Sequence, residues 1–484
     1  MNTQNSSSNT KKIVEEIVDN GEGPFELGRR AVEVGTEAMR DVVDATVSTQ
    51  VGGATLIRDG VVLTTNKTRD FWHGLGPGLV TGAADDDPSG IATYSQTGAK
   101  YGFSLLWLAP LTFPLMAVVQ EMCARIGLVT GRGLAHNIKK YFPKWVLYST
   151  AILLFAANTF NIGADLGAMA KATQLLFPGL AFWFLVIGFT VLSLILQIFV
   201  PYGKYAKYLK YLALVLFVYV ITAFTIKDFD WLSALKSTVW PSFHFGKEQI
   251  ILICGILGTT ISPYLFFWQT SQEVEEQILE GNTTIASRQG TDAVAVKKMR
   301  TDVWSGMFLS NLVMYFIIAV CAATLFKAGI TNIDSAAQAA AALRPLAGDQ
   351  AYLLFAIGII GVGLLGVPVL AGSASYAISE SLGWREGLFY RFRQAISFYG
   401  VIIFAMLVGL ALNFIGLDPI KTLIWSAVFN GLVAPVVLIL IVLLSTNRKI
   451  MGEWVSGPVT KIIGWAATAL MVVAGIATLY SIFF

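Results

Sequence analysis

Three consecutive carboxylates, a proline and a glycine stand in the middle of the first long apolar stretch of this chain, at Gly82-Ala83-Ala84-Asp85-Asp86-Asp87-Pro88-Ser89-Gly90-Ile91. An ionised carboxylate at bilayer depth is costly, and such residues face a bundle interior or a water-filled cavity. Proline removes a backbone donor and clashes with the preceding turn, and Ser-Gly has little helical propensity, so a spanning helix breaks here. Broken helices at membrane depth survive only where the freed backbone groups line a cavity or are buried in protein. The segment therefore marks an ion site.

That the stretch spans a membrane follows from composition. Of 484 residues, 55% are apolar and only 13% charged, with a mean hydropathy of +0.64, whereas a soluble chain carries about 25% charged residues. A net charge of +3 gives no basic character for nucleic acid. Cys123, Cys254 and Cys321 lie far apart in apolar runs and read as buried small hydrophobes, not disulfide partners or ligands. No Ser/His/Asp set, phosphate loop or metal-hydrolase spacing is present, so the chain does not read as an enzyme and calls for no cofactor. Residues 1–70 differ from the rest: Ser/Asn-rich, then charged and modestly amphipathic, without the apolar core of a signal peptide. They are expected to form a cytosolic extension, partly helical or disordered, before a transmembrane domain of residues 71–484.

Apolar stretches near 20 residues predict eleven spans, at 71–97, 105–129, 146–172, 181–200, 208–225, 250–270, 303–326, 351–378, 395–414, 423–444 and 462–484. With a cytosolic N-terminus, the inner loops carry Arg125, Arg132, Lys139, Lys140, Lys144, Lys204, Lys207, Lys210, Arg288, Lys297, Lys298, Arg300, Arg385, Arg391, Arg393, Arg448 and Lys449. The outer loops carry far fewer: Lys100, Lys227, Lys236, Lys247, Lys327, Arg344 and Lys421. The positive-inside rule thus sets the N-terminus inside and Phe484 outside.

Five spans after the first, the sixth has a second helix-breaking centre, Gly255-Ile256-Leu257-Gly258-Thr259-Thr260-Ile261-Ser262-Pro263-Tyr264. An odd spacing of five reverses topology, so spans 1–5 and 6–10 read as inverted repeats, with span 11 added. Interrupted helices at matching places in two halves point to a midplane substrate site in a secondary transporter.

With both breaks in view, the chain resembles the Nramp family of divalent metal transporters. The second span and its loop, from Leu115 through Gln120-Glu121-Met122-Cys123-Ala124-Arg125 to Gly131-Arg132-Gly133-Leu134-Ala135, look like that family's motif after helix 2. Asp87-Pro88-Ser89-Gly90 is similar to its Asp-Pro-Gly-Asn, and Thr259-Thr260-Ile261-Ser262-Pro263-Tyr264 to its Ala-Thr-Val-Met-Pro-His. The resemblance covers residues from about Asp70 onward. It implies an all-α polytopic membrane protein of eleven transmembrane helices in a LeuT-like five-plus-five inverted repeat, broken in helices 1 and 6. It also implies a multi-pass protein of a bacterial inner membrane, working as a monomer, with a divalent ion as substrate.

Carried over residue by residue, the family's ligand set implies Asp87, the carbonyls of Ala84 and Thr259, and the positions of Gly90 and Ser262. Two of these depart from the family, since asparagine has become Gly90 and methionine Ser262. A thioether favours transition metals, whereas carboxylate, hydroxyl, carbonyl and water suit hard ions. Mg²⁺ keeps several waters while binding one or two carboxylates. Mg²⁺ is therefore expected first and Mn²⁺ second, with Fe²⁺ below. The family's proton route is thinned too: helix 3 reads Asp165-Leu166-Gly167-Ala168, the histidine after the second proline is Tyr264, and helix 9 begins Arg391-Phe392-Arg393-Gln394. Tyrosine does not titrate near neutral pH, which implies weak or no proton coupling.

Other polar residues have plainer readings. Asp87 also suits a helix cap. Asp85 and Asp86 read as field-setting groups, one of them facing an aqueous vestibule. Thr259, Thr260 and Ser262 are free to bond back to their own helix. Gln120 and Glu121 read as a buried structural pair, and Asp165 either as the partner of a basic residue such as Arg393 or as a residual proton or gating group. His73, His136 and His244 fall at span ends or in loops and read as interfacial. The run Glu273, Glu275, Glu276 and Glu280 reads as a solvated helix face. Two other functions share the pattern: transport of an organic solute such as an amino acid, which three aspartates disfavour for an anionic group, and a membrane sensor signalling through residues 1–70. A proton-coupled Mn²⁺/Fe²⁺ transporter is the nearer alternative.

Overall fold

A computed structural model describes residues 76–200, 217–242, 246–333 and 335–484. The N-terminal extension, His73 and His244 lie outside the described residues. All regular structure among those described is helical. The span-forming helices are α1 (Pro77–Asp85), α2 (Pro88–Tyr101), α3 (Leu108–Thr130), α4 (Lys144–Leu176), α5 (Phe182–Phe199), α6 (Phe217–Thr225), α7 (Lys247–Thr260), α8 (Pro263–Leu279), α9 (Ala293–Cys321), α10 (Ala351–Leu382), α11 (Ile396–Leu412), α12 (Pro419–Ser445) and α13 (Pro458–Phe483).

These helices fall on the eleven expected spans, with α1 and α2 forming the first and α7 and α8 the sixth; α6 is the described part of the fifth. Seven of these helices, and α7 and α8 taken as one run, are long and apolar enough to cross a membrane, and α11 is a shorter apolar one. The first span escapes a length criterion because its break leaves pieces of 9 and 14 residues. Several helices outrun their apolar stretches. The seventh begins at Ala293, ten residues before the expected start, because Asp292 caps it by accepting the Ala295 amide at 2.7 Å.

The two breaks share one local grammar. Each second piece opens with proline at its first turn, where the missing donor costs nothing, after an N-cap in extended conformation: Asp87 at φ −63, ψ 171, and Ser262 at φ −78, ψ 127. Around them, α10 packs along α4, α7 against α12, and α9 against α1 and α3. The α1–α9 contact is close because Gly82 faces the Gly306 backbone, leaving no room for a β-carbon at either residue. Outer helices turn large apolar side chains outward, such as Trp183 and Ile195 on α5 and Ile462 and Val473 on α13. Such a belt is unfavourable in water and suits lipid. All three cysteines are buried and free, as expected.

Candidate ion site at the two helix breaks

The N-terminus of α1 has no side-chain cap of its own. Its exposed amides are taken by a carboxylate 224 residues away: Asp302 of α9 accepts from Gly76 at 2.8 Å, Gly78 at 2.6 Å and Leu79 at 3.2 Å. This places negative charge at the positive end of the helix and fixes α1 as it runs to Asp85.

At the first break Asp87 is the centre. Its Oδ1 accepts from the Gly90 amide at 2.9 Å and the Ser89 hydroxyl at 2.6 Å. Its Oδ2 accepts from Asn161 Nδ2 at 3.0 Å and the Tyr264 hydroxyl at 3.3 Å. Asp87 therefore is the expected cap, and it is also tied to α4 and α8. The Asn161 amide is oriented in turn by Ser426 of α12, whose hydroxyl donates to Asn161 Oδ1 at 2.8 Å. Close approach of α10 depends on Gly366, where a β-carbon would lie 3.1 Å from that of Asp87.

The second break meets the first across Gly90. A β-carbon there would stand 3.0 Å from Thr259 Oγ1 and 3.3 Å from the Asp85 carbonyl, so the lack of a side chain at Gly90 leaves room for the Thr259 hydroxyl. Ser262 bonds back onto α7, donating to the carbonyls of Gly258 at 2.8 Å and Thr259 at 2.7 Å. Thr260 does the same toward Ile256 at 2.8 Å. The Ala84 carbonyl accepts the Tyr264 hydroxyl at 2.8 Å. The expected set of Asp87, Ala84, Gly90, Thr259 and Ser262 thus adjoins one buried junction.

Several expectations are corrected. Asp85 and Asp86 are 0% and 2% exposed, so neither faces an aqueous vestibule in this arrangement. Asp85 Oδ2 accepts from Ser310 of α9 at 2.7 Å, while one oxygen of each residue has no hydrogen-bond partner among the described residues. Gln120 and Glu121 are not a pair. Glu121 instead binds Arg125, Arg300 (2.8 Å) and the Trp304 indole (2.8 Å), whereas Gln120 makes no side-chain hydrogen bond among the described residues. Asp165 is fully buried near Asp87, and Arg393 lies on an exposed turn outside the bundle with no ion pair to it. The acidic run is not a solvated face: Glu273 and Glu275 are buried. Glu275 accepts from the Tyr376 hydroxyl at 2.5 Å and the Leu388 amide at 2.7 Å, fastening α8 to α10 and the loop after it. Only Glu280 is exposed as expected, with Glu276 between. His136 lies outside the spans on the short helix Leu134–Tyr141 against Arg132. Burial and the neighbouring Arg132, Lys139 and Lys140 lower its pKa to about 4.

Sequence reading missed Asn161 and Ser426 as site residues. Each is one of several polar side chains in a mostly apolar helix, and the one available signal was that an unpaired polar group is costly there.

Residues 78–481 match the family described as natural resistance-associated macrophage protein-like. The chain belongs to the Nramp family. Among its curated relatives, the divalent metal cation transporter MntH of Klebsiella pneumoniae is 27% identical over 407 residues, covering 82% of this chain and 91% of the relative. The protein of the same name from Deinococcus radiodurans is 27% identical over 404 residues, covering 82% and 87%. The fold is similar to that of the Eremococcus coleocola manganese transporter solved with an aromatic bis-isothiourea compound, with a TM-score of 0.66 at 18% identity over 86% of this chain and 87% of that one. It is more distantly similar to Mhp1, a nucleobase-cation-symport-1 family transporter in a closed conformation, with a TM-score of 0.51 at 14% identity over 84% and 91%. The Nramp assignment and the eleven-helix architecture with breaks in helices 1 and 6 agree with the sequence reading.

Proposed function

We propose that this Nramp-family chain, a transporter and not an enzyme, takes up a hard divalent cation by alternating access, Mg²⁺ first and Mn²⁺ next, with weak or no proton coupling. The observation that carries the reading is Asp87: of the three buried carboxylates at the first break it is the one fixed by donors from α2, α4 and α8, beside the second break. The relatives named as divalent metal cation transporters support the substrate class. Asp87 is the ligand, assisted by the carbonyls of Ala84 and Thr259 and, directly or through water, by the junction at Gly90 and Ser262.

Hardness is supported by the donors. The groups assigned to the ion are carboxylate, carbonyl and hydroxyl oxygens, and Ser262 stands where a thioether would draw transition metals. Among the described residues, no three of His, Cys, Asp and Glu group to hold a metal. That suits an ion that keeps part of its water and leans on few carboxylates. Uncoupled uptake has a sufficient driving force, since a dication gains about 4.6 kcal/mol per 100 mV, twice the single-charge value. The topology that accompanies this reading has the N-terminus in the cytosol and Phe484 outside a bacterial inner membrane, with the chain acting as a monomer.

The test is uptake into proteoliposomes with dyes for Mg²⁺, Mn²⁺ and Ca²⁺ and an internal pH dye. Mg²⁺ and Mn²⁺ flux that Asp87→Ala abolishes, without internal acidification, is expected. Absence of divalent flux would sink the reading, and metal-driven acidification would replace it with the proton-coupled alternative.

A further inference from the structure

Tyr264 makes two contacts that its neighbours do not explain. It is the second residue of α8, it is 1% exposed, and its hydroxyl lies 2.8 Å from the Ala84 carbonyl and 3.3 Å from Asp87 Oδ2. Those are two of the oxygens assigned above to the cation. A phenol has one proton to donate, and here that proton faces both acceptors. The tyrosine is held there, since the Ser373 hydroxyl of α10 donates to its carbonyl at 2.7 Å. The contact also joins two helix pieces, because Ala84 is the penultimate residue of α1 while Tyr264 starts α8.

We infer that the Tyr264 hydroxyl is a placeholder for the transported cation, a specificity-setting group that bridges Ala84 and Asp87 and is expelled when the ion takes both. The inference rests on the reading of Asp87 and Ala84 as ligands. A dication bridging those oxygens repels a donor proton aimed at the same space, so the hydroxyl must turn away. Two consequences follow. An ion bound weakly by these oxygens does not displace the hydroxyl, which sets a threshold in charge density that favours small hard dications. Displacement also removes a tie between α1 and α8, so α1 is freed to move only in the loaded site, leaving Asp302 to hold its far end.

The test is Tyr264→Phe, which removes the hydroxyl and keeps the ring. Net loss of one hydrogen bond to be broken predicts a KM for Mg²⁺ lower by roughly three- to tenfold, with the largest relative gain for Ca²⁺, the less charge-dense ion. Mg²⁺ at a fixed concentration should also raise the melting midpoint more in the variant than in the parent protein. A merely structural tyrosine would lower the ion-free midpoint and leave KM unchanged or raised, and that result overturns the inference. Tyr264→Leu, which also lacks a hydroxyl, must shift KM the same way and stands in if the phenylalanine variant does not fold. Asp87→Ala separates the two readings: if it transports normally, the ligand assignment fails; if it is dead while Tyr264→Phe leaves KM unmoved, only the placeholder fails.

Discussion

The two helix breaks look alike in sequence and differ in how their polar groups are spent. At the first, the N-cap side chain turns forward: Asp87 caps α2 and gathers donors from α4 and α8. At the second, the N-cap side chain turns backward: Ser262 makes no cap and bonds instead to carbonyls of α7. The first break therefore supplies charge and links helices, while the second supplies closely held backbone and a tyrosine. A hydroxyl satisfies itself on its own helix at little cost. A carboxylate only accepts, so Asp87 fills one oxygen with donors at the start of α2 and the other with donors from α4 and α8.

That contrast can be broken experimentally. The largest effect belongs to Asp87→Ala, expected to reduce Mg²⁺ uptake roughly a hundredfold or more, on the scale of removing one partner of a buried charged contact; near-normal dye-reported flux would erase the difference between the breaks. Next comes Asn161→Ala. It removes a hydrogen bond to a charged group and should weaken transport roughly ten- to a hundredfold, with Ser426→Ala following in the same direction and less strongly. If Asn161→Ala matches the parent in a KM titration, the link from α4 carries no function. At the second break, Ser262→Ala should change KM by less than about threefold, because its hydroxyl serves α7. Ser262→Met should instead shift competition toward softer ions such as Cd²⁺, and an unchanged competition profile would remove Ser262 from the site. The smallest effect serves as a control remote from both breaks. The folded-state pKa of His136 lies near 4, below its ordinary 6.5. Its neutral form therefore favours folding above about 6.5, and this contribution is lost as pH falls toward 4. The melting midpoint should decline over that window and decline less in His136→Gln, with Mg²⁺ KM the same in both.

Much of this was legible because the signals were local. Asp-Pro and Ser-Pro in apolar stretches require breaks whatever surrounds them, and the positions of Asp87 and Pro263 followed directly. The misreadings concern partners. Glu273 and Glu275 sit in a charged run that looks solvated, yet Glu273 packs against Gly127 of α3 and accepts from Gln269 at 2.8 Å, and Tyr376 of α10 with two amides of the loop after it supplies the donors for Glu275. Glu121 and Gln120 are adjacent in sequence and so point to different sides of α3, which separates the apparent pair. Asn161 gave no pattern because its meaning lies in Asp87, 74 residues earlier.

The sequence by itself determined the helical class, the two breaks, the family and the residue at the centre of the junction, since hydrophobic length and proline chemistry act within one segment. Only the tertiary structure decided what Asp87 touches, that Tyr264 bridges the Ala84 carbonyl and Asp87, that Asp302 caps α1, and that Asp85 and Asp86 are shut away from water. Those contacts join residues roughly 75 to 225 positions apart. Burying a polar group obliges it to find a partner, but which partner arrives depends on how the helices pack.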